Sequence, residues 1–442
     1  MQTIAEDVVY NNDKGSVKMK GKKIFSFLLV TILIFALVGC GAKTPVEPVV
    51  TDAPPATDVL MPEEGAKLVV WESQGPEGEW VKFVGEKFKE KYGVEVVYEE
   101  VPQVDSLKKL TTDGPAGVGA DVFASPHDKV GELVATGLAR PNEISAERVQ
   151  NDFMKAAADG VSMEGTVYGF PTGIETYALF YNKDLIANAP ATFQEVIDFA
   201  KTYNNPKENK YAFMWDVANA YFSHSFIAGQ GGYVFGQGGT DKTDIGLNTP
   251  DAVEGAKFMV SLKEILPVNA ADTNSQIVDG LFSEGKAAMV MTGPWAVKGY
   301  MDAGVNFGIA PIPTLPGGKN PASFSGIRGL FISAYTKYPK AAQLFAEFAT
   351  TDEMLLKRFE LTKQIPPVKS LMENATIKND ATVAPFLAQA QYAVPMPSIP
   401  EMGAVWDPYA AAFALMWNEG VNPQEALDTA AKTIKEAIES QK

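Results

Sequence analysis

Residues 67–100 read KLVVWESQGPEGEWVKFVGEKFKEKYGVEVVYEE. Its first five residues, Lys67 to Trp71, form a short apolar run suited to a buried strand. Trp80, Val84, Phe88 and Tyr92 then recur every fourth residue, which is one apolar face of a helix, and Gly93 supplies its stop. Residues 94–98, VEVVY, make a second strand, and residues 121–124, DVFA, a third. His127-Asp128 opens another helical stretch, carried by Val130, Leu133 and Val134 to Gly137. Strand–helix–strand succession at this spacing predicts an α/β fold with a mainly parallel sheet and helices on both faces. In such sheets ligands sit beyond the carboxyl ends of the strands. Here those places are residues 72–78, 125–128 and 173–177.

The same style continues toward the C-terminus with more aromatics. Strands are expected at 178–181, 287–292 and 307–312, and helices at 192–203, entered from Pro190, and 423–441. The Pro-rich stretch 312–321 suggests a crossing between two lobes. No internal repeat is present.

Toward the N-terminus the chain changes character. Lys18, Lys20, Lys22 and Lys23 precede an apolar run at 24–38, followed by Gly39-Cys40-Gly41. A basic start, a short apolar core and small residues at the end make a secretory signal. A spanning helix needs roughly 20 apolar residues, so a membrane anchor with an incidental cysteine is the weaker reading. Leu37-Val38-Gly39-Cys40 resembles the bacterial lipobox, whose cysteine is lipidated and becomes the new N-terminus. Met19 is a natural start, so residues 1–39 read as an upstream extension plus lipoprotein signal peptide. Residues 40–65 are rich in Pro, Thr, Val and acids, which makes a semi-rigid linker. The expected place is the extracellular face of the cell membrane, tethered through Cys40.

Composition bounds the rest. The 442 residues carry 46% hydrophobic and 21% charged residues, as a soluble globular chain of more than one domain does. A formal charge of −16 argues against nucleic acid as a partner. One cysteine and two histidines leave no disulfide framework and no zinc site of the usual composition. There is no G-x-S-x-G elbow for a serine nucleophile. His127 and His224 stand in no metal-ligand spacing, and packing is the reading for both.

Gly280 to Lys286 matches the phosphate-loop pattern G-x-x-x-x-G-K, but Ala287 stands where Ser or Thr belongs. A phosphate loop follows a strand and opens a helix. Here a helical stretch precedes it and a strand follows, so Gly285 reads as a helix C-cap and Lys286 as a helix-end charge. Among the aromatics, Trp295 and Trp406 stand apart because each adjoins a proline or a break, in Gly293-Pro294-Trp295 and Trp406-Asp407-Pro408. Such rings offer apolar faces to the C–H side of a sugar. Asp128 and Glu175, at strand ends, could accept hydrogen bonds from neighbouring hydroxyls, although each is also a natural helix cap or surface charge.

These segments also carry a resemblance. Lys67-Leu68-Val69-Val70-Trp71, Asp121-Val122-Phe123 with His127-Asp128, Tyr168-Gly169-Phe170-Pro171, Glu175 and Tyr181-Asn182-Lys183-Asp184-Leu185 come first. Gly231-Gly232-Tyr233-Val234-Phe235, Phe282, Gly285-Lys286-Ala287-Ala288-Met289, Gly293-Pro294-Trp295 and Trp406 follow in order. Together they resemble the maltose/maltodextrin-binding proteins of ABC importers, in the lipoprotein form of Gram-positive bacteria. The resemblance implies a type II, periplasmic-binding-protein-like fold whose two hinge-linked lobes close over a ligand cleft. The lobes would be residues 66–174 with 326–370, and 175–325 with 371–442. It implies a sugar site of Asp128, Lys129, Glu175, Tyr221, Trp295, Met396 and Trp406, no cofactor and no catalysis. Malto-oligosaccharides, or cyclodextrins, would be the ligand, membrane permease subunits the partners, and a monomer the working form. Two departures stand out: Ser125-Pro126 replaces a tryptophan just before His-Asp, and Gly75-Pro76 replaces an Asp-Lys pair. They alter one end of the groove, so a different oligosaccharide is the alternative ligand. A secreted glycosidase using Asp128 and Glu175 is the distant one.

Overall fold

The computed structural model describes residues 60–440. Cys40, the signal segment and most of the linker lie outside the described residues. Along the chain the strands are β1 (Lys67–Glu72), β2 (Glu95–Glu100), β3 (Val122–Pro126), β4 (Ala139–Arg140), β5 (Ser162–Met163), β6 (Thr166–Val167) and β7 (Gly169–Glu175). They continue as β8 (Ala178–Asn182), β9 (Tyr211–Met214), β10 (Asp241–Ile245), β11 (Ala287–Thr292), β12 (Phe307–Ala310), β13 (Phe324–Ser333) and β14 (Val394–Pro395).

The opening stretch folds as its pattern requires. The helix Pro76–Tyr92 starts on a proline at its first turn, carries Glu77 and Glu79 there, and ends on Lys89, Lys91 and a left-handed Gly93. It buries Trp80, Val81, Val84 and Phe88 against the helix Pro339–Ala349 and the adjoining sheet. Beside it, β1 runs parallel to both β2 and β3.

Two main sheets result. One is ordered β14-β13-β3-β1-β2, with β4 and β7 also on β13, and the other β12-β8-β11-β9. The expectation of mainly parallel sheets needs correcting, because both are mixed. β13 runs antiparallel to β3, β4 and β7, and β8 antiparallel to β11 and β12. The reason is the way the chain changes sheet. β7 and β8 are separated by Thr176 and Tyr177 alone, and a strand that arrives without a crossover helix has no need to be parallel.

The places where the chain passes between sheets lie side by side. Thr176 donates its hydroxyl to the Phe324 carbonyl (2.9 Å), and the Tyr177 hydroxyl accepts the Phe324 N–H (3.2 Å). β14 pairs with β13 at Phe324 and Ser325. The strand expected at 307–312 ends earlier, at Ala310, and the Pro-rich stretch after it leads into β13.

At the near-phosphate-loop segment, the helix Ser275–Ser283 closes on Gly285 in a left-handed conformation (φ 69°). The Lys286 N–H reaches back to the Leu281 carbonyl (2.8 Å), and β11 follows. The geometry is a helix end, as expected.

Candidate functional site

β3 ends in a single 3-10 turn, His127–Lys129, that places Asp128 and Lys129. Asp128 is 4% exposed, yet its Oδ2 accepts the indole N–H of Trp406 at 3.0 Å, and the Lys129 ammonium stands 3.4 Å from the same oxygen. Trp406 opens the helix Trp406–Glu419 and remains half-buried. Lys129 also lies 5.8 Å from the Trp406 ring centre. A carboxylate, an ammonium and an indole, 277 or more residues apart in chain terms for the ring, therefore meet at one point.

Residues 396–404 are fastened to this turn. The His127 Nδ1 accepts the Ile327 N–H (3.1 Å), so its Nε2 carries the proton and donates to the Met396 carbonyl (2.9 Å). Burial lowers the His127 pKa, which keeps this neutral tautomer. Gly131 donates its N–H to the Ser398 carbonyl at 3.0 Å, and a Cβ at Gly131 would overlap the backbone of Ile399 and Pro400. Met396 itself is buried, its terminal methyl against Gly326.

The aromatic side is continuous. Trp295 sits on the 3-10 turn Pro294–Ala296 that follows β11, and its ring covers its own Gly293. Tyr221 lies in the first turn of the helix Ala220–Gln230, and its N–H donates to the capping Asn219 side chain. Ring centres run Trp295 to Tyr221 at 6.4 Å, Tyr221 to Phe324 at 6.1 Å, and Phe324 to Trp406 at 5.9 Å. Burial raises the Tyr221 phenol well above its usual range, and the charges of Glu175 and Asp128 add to the effect.

Glu175 ends β7 and is 7% exposed. Its Oε1 accepts from Gln364 Nε2 (2.8 Å) and Arg328 Nη1 (3.2 Å), and its Oε2 from Gln103 Nε2 (3.2 Å). Arg328 also holds both oxygens of the buried Glu72, and Arg358 lies 3.5 Å from Glu72. Burial works against the Glu72 carboxylate, but the two guanidiniums more than offset it and leave its pKa lowered. For Glu77, which lacks so close a partner, burial wins and the pKa is raised.

The seven expected site residues fall into four places. Asp128, Lys129 and Trp406 touch, Tyr221 and Trp295 share the aromatic strip, Met396 lies under β13, and Glu175 belongs to a charge cluster. Sequence reasoning missed Phe324, which joins Tyr221 to Trp406, and Arg328 and Gln364, which hold Glu175. Phe324 stands between Ser323 and Ser325 with no apolar periodicity around it, so no helix or strand pattern marks it. At the departures, Ser125 is fully buried with an unpartnered hydroxyl, and Gly75 takes a left-handed φ of 76° before Pro76. A cavity of about 280 Å³ adjoins Trp295, lined also by Asp279, Gly280, Ser283 and Tyr300. Another, of about 340 Å³, is lined by Phe324, His224, Tyr233 and Pro397. Among the described residues no cluster of His, Cys, Asp and Glu is arranged for a metal, and no helix is long and apolar enough to cross a membrane.

Residues 72–355 match the family described as bacterial extracellular solute-binding proteins. The chain belongs to that family. The solute-binding protein is 32% identical over 427 residues to a galactooligosaccharide-binding protein of Bacillus subtilis strain 168, covering 95% of this chain and 98% of the relative. It is 32% identical over 419 residues to a maltooligosaccharide ABC transporter solute-binding lipoprotein of Streptococcus pneumoniae strain R6, covering 92% and 95%. Among solved structures, a cyclo/maltodextrin-binding protein complexed with maltotetraose superposes with a TM-score of 0.71 at 40% identity, covering 85% of this chain and 98% of that one. The solute-binding protein accordingly has the two-lobed type II fold.

Proposed function

We propose that this solute-binding protein captures malto-oligosaccharides outside the cell and delivers them to the membrane permease of an ABC importer. The observation that carries the reading is the aromatic strip Trp295–Tyr221–Phe324–Trp406, bordered by the carboxylates of Asp128 and Glu175. The half-buried rings of Trp295, Tyr221 and Trp406 offer area to sugar C–H faces, and buried carboxylates accept hydrogen bonds from hydroxyls with direction. In this reading Trp295, Tyr221 and Trp406 are platforms, Asp128, Lys129 and Glu175 bind hydroxyls, and Met396 lines the groove. The structure with maltotetraose, at 40% identity, supports the ligand class. A thermal-shift panel of maltotriose, maltotetraose, maltopentaose and β-cyclodextrin tests it. Stabilisation by at least one α-glucan is expected, and none from any of the four would end the assignment.

The lobes in this proposal are residues 66–174 with 326–370, and 175–325 with 371–442. In support, β8, β9, β11 and β12 all fall in the second, while β1, β2, β3 and β4 fall in the first. The protein acts as a monomer held to the membrane through lipidated Cys40, a reading helped by the lipoprotein name of the pneumococcal relative. Palmitate labelling of cells making the native chain, and loss of the label in Cys40→Ala, is the expected pattern.

A second reading keeps the receptor and changes the sugar. The Bacillus relative named for galactooligosaccharides and the ringless Ser125 favour it. The same panel extended to β-1,4-galactotriose separates the two. Catalysis is not part of either reading, because the named relatives are binding proteins and the two carboxylates are engaged by protein donors.

A further inference from the structure

We propose that Arg328 and Gln364 are positioning residues for Glu175, filling one carboxylate oxygen so that the other is aimed at a ligand hydroxyl. The inference rests on the reading of Glu175 as a hydroxyl acceptor given above. A carboxylate has about four lone-pair sites, two on each oxygen. Oε1 spends both, on Arg328 Nη1 (3.2 Å) and Gln364 Nε2 (2.8 Å). Oε2 accepts from Gln103 Nε2 (3.2 Å) and keeps a site for one further donor.

The two holders are themselves fixed. Arg328 engages Glu72 through Nε and Nη2, Ser73 Oγ through Nη2 (2.8 Å), and the carboxylates of Glu175 and Glu77 through Nη1, the last at 3.8 Å. Its fork therefore has one orientation, which a lysine ammonium could not reproduce. Gln364 accepts from Arg358 Nη2 at 2.7 Å, and since a guanidinium only donates, its amide oxygen must face Arg358. Its NH2 then faces Glu175 and Glu77 (3.0 Å). Apart from Ser73, which is half-buried, all of these groups are at least nine-tenths buried.

The composition of the cluster points the same way. Burying three carboxylates and two guanidiniums is a poor route to stability, since apolar side chains of like volume commonly do as well or better. What the cluster does achieve is a Glu175 carboxylate with no free rotor at the point where β7 leaves for the other sheet. Specificity for one hydroxyl direction needs that rigidity.

The test is calorimetric titration of the mature full-length protein with maltotriose, paired with melting curves. The variants are Gln364→Met, Arg328→Lys, Glu175→Ala and the double variant Glu175→Ala/Gln364→Met. Gln364→Met keeps the volume and removes one donor to Oε1, and Arg328→Lys keeps the charge and loses the fork. Each single change should weaken maltotriose by about tenfold in a folded protein. Adding Gln364→Met to Glu175→Ala should change affinity no further, because the acceptor it positions is gone. A folded Gln364→Met or Arg328→Lys with native affinity overturns the proposal, as does a double variant whose losses add. Unchanged affinity in Glu175→Ala would overturn the acceptor reading beneath it, a result distinct from the other two.

Discussion

Trp406 combines a ring face with a donor, and the two can be separated. Its N–H reaches Asp128 Oδ2 at 3.0 Å while its ring packs on Phe324. Trp406→Phe should lose the donor and keep most of the face, weakening glucan binding by a few fold. Trp406→Ala should lose both and weaken it by more than about tenfold, on the area an aromatic ring buries. Titration of the two variants beside the native protein checks the order. Trp295→Ala should likewise weaken binding strongly. Lys286, in an exposed pair with Glu284, should be replaceable by Ala at a cost under about 0.5 kcal/mol and with native affinity. His224 gives a pH prediction. It is fully buried, stacked 4.0 Å from Phe324, and burial pulls its pKa down to about 3. The unfolded chain holds a proton on it below about 6.5, so stability is complete above that pH and falls as the pH drops toward 3. His224→Gln should flatten this slope between pH 6.5 and 4, measured by denaturant unfolding at stepped pH.

At the scale of elements, the local patterns were legible where the chemistry is local. The helix from Pro76 to Tyr92, β8, β11 and the last helix stand where the periodicity puts them, within a residue or two. Of the six tryptophans, Trp71, Trp80, Trp215 and Trp417 are fully buried, and the two beside a proline or a break are the half-buried ones. β13 was not legible. Its sequence, FSGIRGLFIS, carries an arginine and two glycines and has no period-two pattern, because it is buried on both faces. Arg328 is tolerable there only through Glu72, 256 residues earlier, and Glu175, 153 earlier, which no local window contains. The 396–404 segment was equally hidden, being seated by Gly131 and His127 from across the chain. Gly131→Ala should push this segment away from the 127–131 turn, since the added methyl meets backbone rather than a movable side chain. A loss of about 1–3 kcal/mol in stability and weaker glucan binding are expected, by melting curve and titration of the same preparation.

Over the whole molecule, two sheets are joined by adjacent passages, and the type II fold predicts that one lobe moves against the other. A ligand held by groups from both favours the closed state by its differential contacts. Small-angle scattering should show a smaller radius of gyration with saturating maltotetraose than without. Such a ligand also stabilises the fold, by about 2.7 kcal/mol at a hundredfold excess over its Kd. In this reading the cleft recognises an α-linked glucose chain. Side-by-side calorimetric titration of the purified mature protein with maltotetraose and with β-1,4-galacto-oligosaccharide of the same length tests this. Saturable 1:1 heat with maltotetraose, and at least tenfold weaker binding of the galactose chain, is the predicted result. Tight binding of the galactose chain with none for maltotetraose would contradict it.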